Sequence, residues 1–485
     1  GRSSRLFARP FQPAVSFASF NARSRAMFTI QTGRTGAYCD GFSRRSFLKV
    51  GVAGMASLGM ADVLRARAAS AAAGQPAKNT SVILLWLDGG PSHMDTYDMK
   101  PDAPAAYRGI WRPIKTNVSG MEITELFPLQ AKMADKFSII RSLYHNDGDH
   151  FGGAHRILTG RPGANGADQT SKYPSIGAIV ARAVGARTAG MPPYASVPYG
   201  SSVGLRPGYF GANYLGREFN PFETDGDPND PNFKVQCFAL PQDLTLARLE
   251  SRRELRQHFD KLKKAADLSG TMDAMDRFQR QAFDFISGAT ARKAFDISSE
   301  PAALRERYGR NNFGQSALLA RRLVEAGSTF VTVHSGGWDH HWDLQRGMEN
   351  NLPQVDAAVS SLLQDLTDRG LYDRVLVLMC GEFSRTPRMN DGGNGGPPMS
   401  KGTPGRDHWG NAMSVMIAGG GVKGGRIVGS TNRLGEAPKD RPVTPQDLHA
   451  TIYAVLGIDP SIKFLNHSGR PVPAIDNGQA ISELF

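Results

Sequence analysis

Residues 328–383 place the tightest limit on the fold. Ser328-Thr329-Phe330-Val331-Thr332-Val333 reads as a strand. Val355, Val359, Leu362, Leu363 and Leu366 then mark one face of an amphipathic helix, and Arg374-Val375-Leu376-Val377-Leu378-Met379 reads as a second strand. Strand, helix and strand at this length imply a right-handed parallel crossover. A parallel sheet is covered on both faces, so its strands read as unbroken apolar runs rather than alternating ones. Ser81-Val82-Ile83-Leu84-Leu85-Trp86-Leu87 is such a run, stopped by the turn signal Asp88-Gly89-Gly90-Pro91. The chain is therefore expected to be α/β, with helices over both faces of a mainly parallel sheet.

Other segments fit this frame. Thr124 to Lys136 has helical spacing at Leu126, Leu129 and Met133, and Phe137-Ser138-Ile139-Ile140 follows as a strand. Residues 195–235, rich in Gly, Pro, Asn and Asp, read as a long excursion, and 241–326 as largely helical with solvated charges. Met413 to Ala418 is a short strand closed by Gly419-Gly420-Gly421. Thr444-Pro445-Gln446-Asp447 opens a helix that runs to Leu456, with Gly457 as its C-cap. No P-loop and no G-x-S-x-G elbow occurs.

The 485 residues fit two to four domains, or one large α/β domain with insertions. The net charge of +12 hints at nucleic acid, but its position argues otherwise. Residues 1–71 carry 11 Lys/Arg and 2 Asp/Glu, and beyond them 46 basic face 43 acidic residues. No basic face remains for a nucleic acid. Of the three cysteines, Cys237 and Cys380 lie beyond this segment, too few for a disulfide framework or zinc ribbon.

Ser43-Arg44-Arg45-Ser46-Phe47-Leu48-Lys49 resembles a twin-arginine export signature. The weakly apolar stretch from Val50 to Leu64 is too short to span a membrane, and Ala66-Arg67-Ala68 and Ala69-Ser70-Ala71 offer cleavage sites. Met27 would leave a basic segment of ordinary length before the arginines. Residues 1–73 are thus expected to be a leader. Residues 74–485 are expected to be one domain with a helical insertion near 241–326, periplasmic or extracellular and without an integral membrane span.

Polar and acidic residues gather just beyond the strands, where open α/β sheets bind ligands. Asp88 ends the first strand; His334, Asp339, His340 and His341 follow another; Glu382 ends the next. Asp407 and His408 precede the last strand, and His145, Asp147, Asp149, His150 and His155 follow the strand at 137–143. Taken singly, such an Asp is often an N-cap and such a His a hydrogen-bonded loop residue. Together, imidazole and carboxylate suit a divalent cation, zinc or manganese better than calcium.

Four motifs carry a resemblance to the bacterial family called domain of unknown function 1501. They are Leu87-Asp88-Gly89-Gly90-Pro91-Ser92-His93-Met94-Asp95-Thr96, Gly337-Trp338-Asp339-His340-His341, Gly381-Glu382-Phe383-Ser384-Arg385-Thr386-Pro387 and Gly405-Arg406-Asp407-His408-Trp409. That family is similar to the alkaline phosphatase and sulfatase superfamily. The resemblance covers about residues 80–460 and implies an alkaline phosphatase-like three-layer sandwich with a metal site at the strand ends. It implies Asp88, Asp339, His341, Glu382 and His408 as metal ligands. Phe383 stands where a second ligand usually follows the strand. The sulfatase nucleophile, a Cys or Ser about nine residues before Thr-Gly-Arg, is absent. Thr159-Gly160-Arg161 is present, but the position holds His150.

His150 is thus a candidate ligand, general base or covalent nucleophile. Arg156, Arg161 and Arg385 lie near the motifs as candidate anion holders. The expected activity is metal-assisted hydrolysis of a small anionic ester, a sulfate or a phosphate. The alternative is a non-catalytic binding or scaffold protein that keeps the fold, and a mutase or transferase ranks last. Oligomeric state is not legible in the sequence.

Overall fold

The computed structural model describes residues 79–238, 284–393 and 401–485. All belong to one compact unit, Val63–Phe485. The arginine pair, the apolar stretch and the cleavage sites of 43–71 lie outside the described residues, as do 239–283 of the helical region.

Eight strands form the central sheet: β1 (Ser81–Leu87), β2 (Phe137–Leu143), β3 (Tyr194–Val197), β4 (Phe222–Glu223), β5 (Phe330–Ser335), β6 (Val375–Cys380), β7 (Met413–Gly419) and β8 (Ile427–Val428). Their spatial order is β8-β2-β7-β6-β1-β5-β3-β4. Strand β1 runs parallel to β6 and β5, β3 runs parallel to β5 and β4, and β8 runs parallel to β2. Only β7 is reversed within this sheet, antiparallel to both β2 and β6.

The reversal matters for the site. The start of β7 lies at the same sheet edge as the ends of β1, β2, β5 and β6. Residues just before β7 therefore meet residues just after the other four strands.

Among the described residues, seven helices of seven residues or more pack around the sheet: α1 (His150–Thr159), α2 (Ile176–Val184), α3 (Ala289–Phe295), α4 (Ala302–Tyr308), α5 (Asn312–Ala326), α6 (Leu344–Asp368) and α7 (Pro445–Leu456). Alternate residues of β1 enter opposite cores. Ile83, Leu85 and Leu87 pack with Leu319 and Leu323 of α5 and Val355, Leu362 and Leu366 of α6. Val82, Leu84 and Trp86 pack with Leu158 of α1, Ile179 of α2 and Ile452 of α7. Each such aliphatic side chain contributes about 1.5–3 kcal/mol on leaving water. Two faces covered in this way explain why β1 reads as an unbroken apolar run. Helix α5 contributes to this layer directly, although it falls within the stretch expected as an insertion.

The expected α7 is the helix best matched at its ends. Thr444 and Asp447 form a reciprocal capping box, Pro445 opens the first turn, and Gly457 closes the helix at φ +68°. One expected helix is not continuous. Within Thr124 to Lys136 there is the end of a short strand, one helical turn at Pro128–Ala131 and a 3₁₀ turn at Ala134–Lys136. Pro128 starts the first turn, and that turn is held from outside. Asp356 of α6 accepts hydrogen bonds from the amides of Leu129 and Gln130, both at 2.8 Å. Among the described residues no helix is long and apolar enough to cross a membrane.

Asp356 supplies a pH test of this packing. Burial pushes its carboxyl up to about 6, against the opposing pull of the two amide bonds. A carboxyl whose pKa is raised by folding gives stability below its unfolded pKa of about 4, lost as pH rises through about 6. Relative to Asp356→Asn, the parent protein is expected to lose stability between about pH 4 and 7 in urea unfolding. A difference that stays constant across that range contradicts this.

Candidate metal centre

The four motifs converge at the sheet edge that the reversal of β7 creates. Asp88 follows β1 and accepts from Trp86 Nε1 at 3.0 Å and from the Val203 amide. His334 Nε2 lies 3.3 Å from its other side. Glu382 follows β6, is fully buried, and accepts the Gly89 amide on both oxygens at 2.9 and 3.0 Å. Gly89 has φ +115°, and a Cβ there would lie 2.6 Å from the Asp339 amide nitrogen. The glycine thus admits the close approach of the first two motifs.

Three side chains face one another beyond Glu382. His341 Nε2 and His408 Nε2 are 2.9 Å apart, and each lies 3.0 Å from Asp339 Oδ1. His408 Nδ1 must donate, because its partner is the Gly148 carbonyl at 2.9 Å. His341 Nδ1 donates to Asp407 Oδ1 at 2.8 Å. Those bonds leave lone pairs on both Nε2 atoms, aimed at each other and at a carboxylate oxygen. Such a cluster is repulsive unless a proton or a cation lies between. Holding a ligating imidazole by its far nitrogen on a carboxylate or carbonyl is how metal sites fix the tautomer.

His150 completes the group from the start of α1. Its Nδ1 lies 2.7 Å from Glu382 Oε1 and its Nε2 3.3 Å from Asp339 Oδ2. His150, Asp339 and His408 bring ligand atoms within 4.8 Å of one another. Phe383 packs under two of the rings, 4.9 Å from His150 and 4.6 Å from His408.

The electrostatics follow from this crowding. Burial lowers the pKa of His150, but the Asp339 and Glu382 carboxylates outweigh it and hold the imidazole up to about 9. Burial opposes ionisation of Asp339, yet hydrogen bonds from three histidines and the Arg385 charge hold its carboxyl far below the usual range. Burial raises Glu382, and the neighbouring Asp88 charge adds to it.

Glu382, Asp339, His341, His408 and His150 thus lie in contact, and Asp88 stands near Glu382 with its oxygens turned to Trp86, Val203 and His334. Of the other expected site residues, Arg161 lies elsewhere and Arg385 touches the group only through Asp339. Arg161 follows the far end of α1, whose ten residues span about 15 Å. It pairs with Asp476, donates to the Pro473 carbonyl and covers the Tyr173 ring. Arg385 is close but fully buried. Its guanidinium donates to the carbonyls of Gly89, Gly90 and Arg406 and to Asp339 Oδ1. It clamps the motifs together rather than facing a ligand.

Other motif residues also act as clamps. Arg406 pairs with Asp95, both fully buried, and His93 accepts the Ser384 hydroxyl at 2.6 Å. Asp149 is the N-cap of α1, and His155 is held by the Arg161 carbonyl and the Lys172 amide. Asp407 and His334, named in the sequence as members of the post-strand clusters but not as ligands, are the partners of His341 and Asp88. The adjacency of Asp407 to His408 in one motif was the available signal.

A three-layer α/β domain with an Asp/Glu/His centre at its strand ends is the class that this fold and site define. The chain belongs to the family described as protein of unknown function (DUF1501), whose model matches residues 79–485. No curated protein matches. Solved structures similar to it include the sulfatase PsFucS1 from Pseudoalteromonas sp., 15% identical, covering 86% of this chain and 72% of that one with a TM-score of 0.36. They also include a phosphonate monoester hydrolase from Silicibacter pomeroyi, 12% identical, covering 83% and 76% with a TM-score of 0.35. A protein in the alkaline phosphatase superfamily from Vibrio parahaemolyticus is 11% identical, covering 79% and 67% with a TM-score of 0.36.

The clamp role of Arg385 is open to test. Removing the buried guanidinium leaves the carbonyls of Gly89, Gly90 and Arg406 without that donor, so Arg385→Met is expected to cost about 1–3 kcal/mol in urea unfolding. A variant of unchanged stability would instead mark Arg385 as a free anion holder.

Proposed function

We propose that this protein is an exported, metal-dependent hydrolase of a small sulfate or phosphate ester. The observation that supports it best is the meeting of His341 Nε2, His408 Nε2 and Asp339 Oδ1 within 3.0 Å, with each imidazole held from behind. Asp339, His341 and His408 would hold the cation, and Asp88 and Glu382 stand beside them as further carboxylate ligands. The mixed nitrogen and oxygen donors favour zinc or manganese over calcium. When bound, the cation supplies Lewis-acid polarisation of an ester oxygen and lowers the pKa of a water.

The remaining work falls to side chains. Glu382 orients His150 through Nδ1, which leaves Nε2 on the Asp339 side as the atom able to take or pass on a proton. Phe383 shields two of the imidazoles from water on one face. Export rests on the Arg44-Arg45 signature, which would deliver the protein to the periplasm or beyond.

A second reading, a non-catalytic binding or scaffold protein, is favoured by one observation. Both ring nitrogens of His150 have partners, Arg161 lies away from the centre, and Arg385 reaches it only through Asp339 Oδ1, with its other donors on backbone carbonyls.

Metal analysis of the purified protein is expected to find a bound divalent ion, lost in Asp339→Ala. Asp407→Ala, which removes the support behind His341, is expected to weaken cation affinity about 10- to 100-fold. Turnover of aryl sulfates or phosphates is expected, abolished by chelation and by His150→Ala. A protein with bound metal but no turnover supports the scaffold reading; one without bound metal overturns both the cation and the hydrolase.

A further inference from the structure

Two of the three arginines that sequence proximity assigned to the centre meet elsewhere. Arg156, in the second half of α1, and Arg161, just beyond its end, both line a cavity of about 310 Å³. The other walls are Tyr144, His145, Asn146 and Gly160, with Thr444, Pro445 and Gln446 from the opening of α7. The size is within the range of small-molecule sites.

The lining carries two guanidinium groups and no carboxylate. Acids hold the arginines from their outer sides: Asp147 accepts Arg156 Nε at 3.2 Å, and Asp476 pairs with Arg161. Only Nε of Arg156 is engaged in this way, and its two terminal nitrogens hydrogen-bond to nothing among the described residues. Asp147 fixes the Arg156 fork through Nε alone, while Asp476 and the Pro473 carbonyl each take one terminal nitrogen of Arg161. Gln446 adds a side-chain amide. Its backbone N–H is the first-turn donor of α7 that neither the capping box nor Pro445 accounts for. The histidine in the wall, His145, has both ring nitrogens engaged. Burial lowers its pKa, and its Nε2 donates to the Glu382 carbonyl at 2.7 Å while its Nδ1 accepts the Asp147 amide.

We propose that this cavity is a second binding site, for a small molecule bearing a tetrahedral oxyanion, a phosphate or a sulfate. Planar guanidinium forks match such oxygens in paired, charge-assisted hydrogen bonds. The site is distinct from the metal centre. Arg156 lies six residues along α1 from His150, about 9 Å of axial rise, and the loop of His145 to Asp149 stands between. That loop is a shared wall, because His145 touches both the cavity and the backbone of Glu382. The proposal does not depend on hydrolysis or on a bound cation.

Calorimetric titration of the purified full chain with inorganic phosphate tests it, with sulfate and acetate as parallel arms. Saturable binding of phosphate and sulfate, with acetate weaker, is expected in the parent protein and in His150→Ala alike. Arg156→Gln is expected to weaken phosphate binding about tenfold or more, as loss of a charged hydrogen-bond donor does. Gln446→Ala, on the opposite wall, is expected to weaken it less and decides the matter if circular dichroism shows Arg156→Gln to be unfolded. Absence of saturable binding overturns the proposal. So does binding that neither cavity variant alters, or binding lost in His150→Ala alone, which would place the anion at the metal centre. Metal content that is unchanged in Arg156→Gln separates this result from any failure of the hydrolase reading.

Discussion

The guanidinium of Arg385 joins all four sequence motifs at one buried point. It bonds to backbone carbonyls of the first and fourth motifs and to Asp339 of the second, and it belongs itself to the third. A buried charge is costly unless it is paired and its donors are filled. Arg385 meets that condition only when the loops after β1, β5 and β6 and before β7 are all in place. The loops are thus held to one another rather than to the sheet alone, which gives Asp339, His341 and His408 fixed mutual positions.

Clamps of this kind explain why motif residues divide between two tasks. Asp339, His341 and His408 bring their polar atoms to one point, with Glu382 beside them through His150. His93, Asp95, Ser384, Arg385 and Arg406 point inward and tie the loops together. The division is invisible in spacing alone, because both groups occur in the same short stretches. Arg385 and Arg406 are adjacent to ligand positions in sequence, yet their guanidinium groups are buried among carbonyls. Nearness along the chain does not say which way a long side chain turns.

Much of the fold was legible for a plain reason. β1, β5 and β6 are covered on both faces, so their apolar runs carry no alternation that could be mistaken for a surface strand. Helix α7 announces both its ends through Thr444 and Gly457. What was not legible depends on partners remote in sequence. The turn at Pro128–Ala131 is set by Asp356, more than two hundred residues away. Strand β3 hides in a stretch rich in glycine and proline, and needs β5 beside it to exist. The reversal of β7 leaves no mark in its own residues, although it places His408 in the centre.

The position of β1 in the middle of the sheet carries a cost in time. Its neighbours β5 and β6 end at Ser335 and Cys380, so one edge of Ser81–Leu87 stays unpaired until about 250 further residues exist and the other until nearly three hundred do. At ribosomal rates that interval is on the order of 15–60 s. Throughout it, a seven-residue apolar segment without charge or proline is available to wrong partners. Production of this protein in a cell is therefore expected to lean on chaperones that shield the first strand while the remaining chain is made.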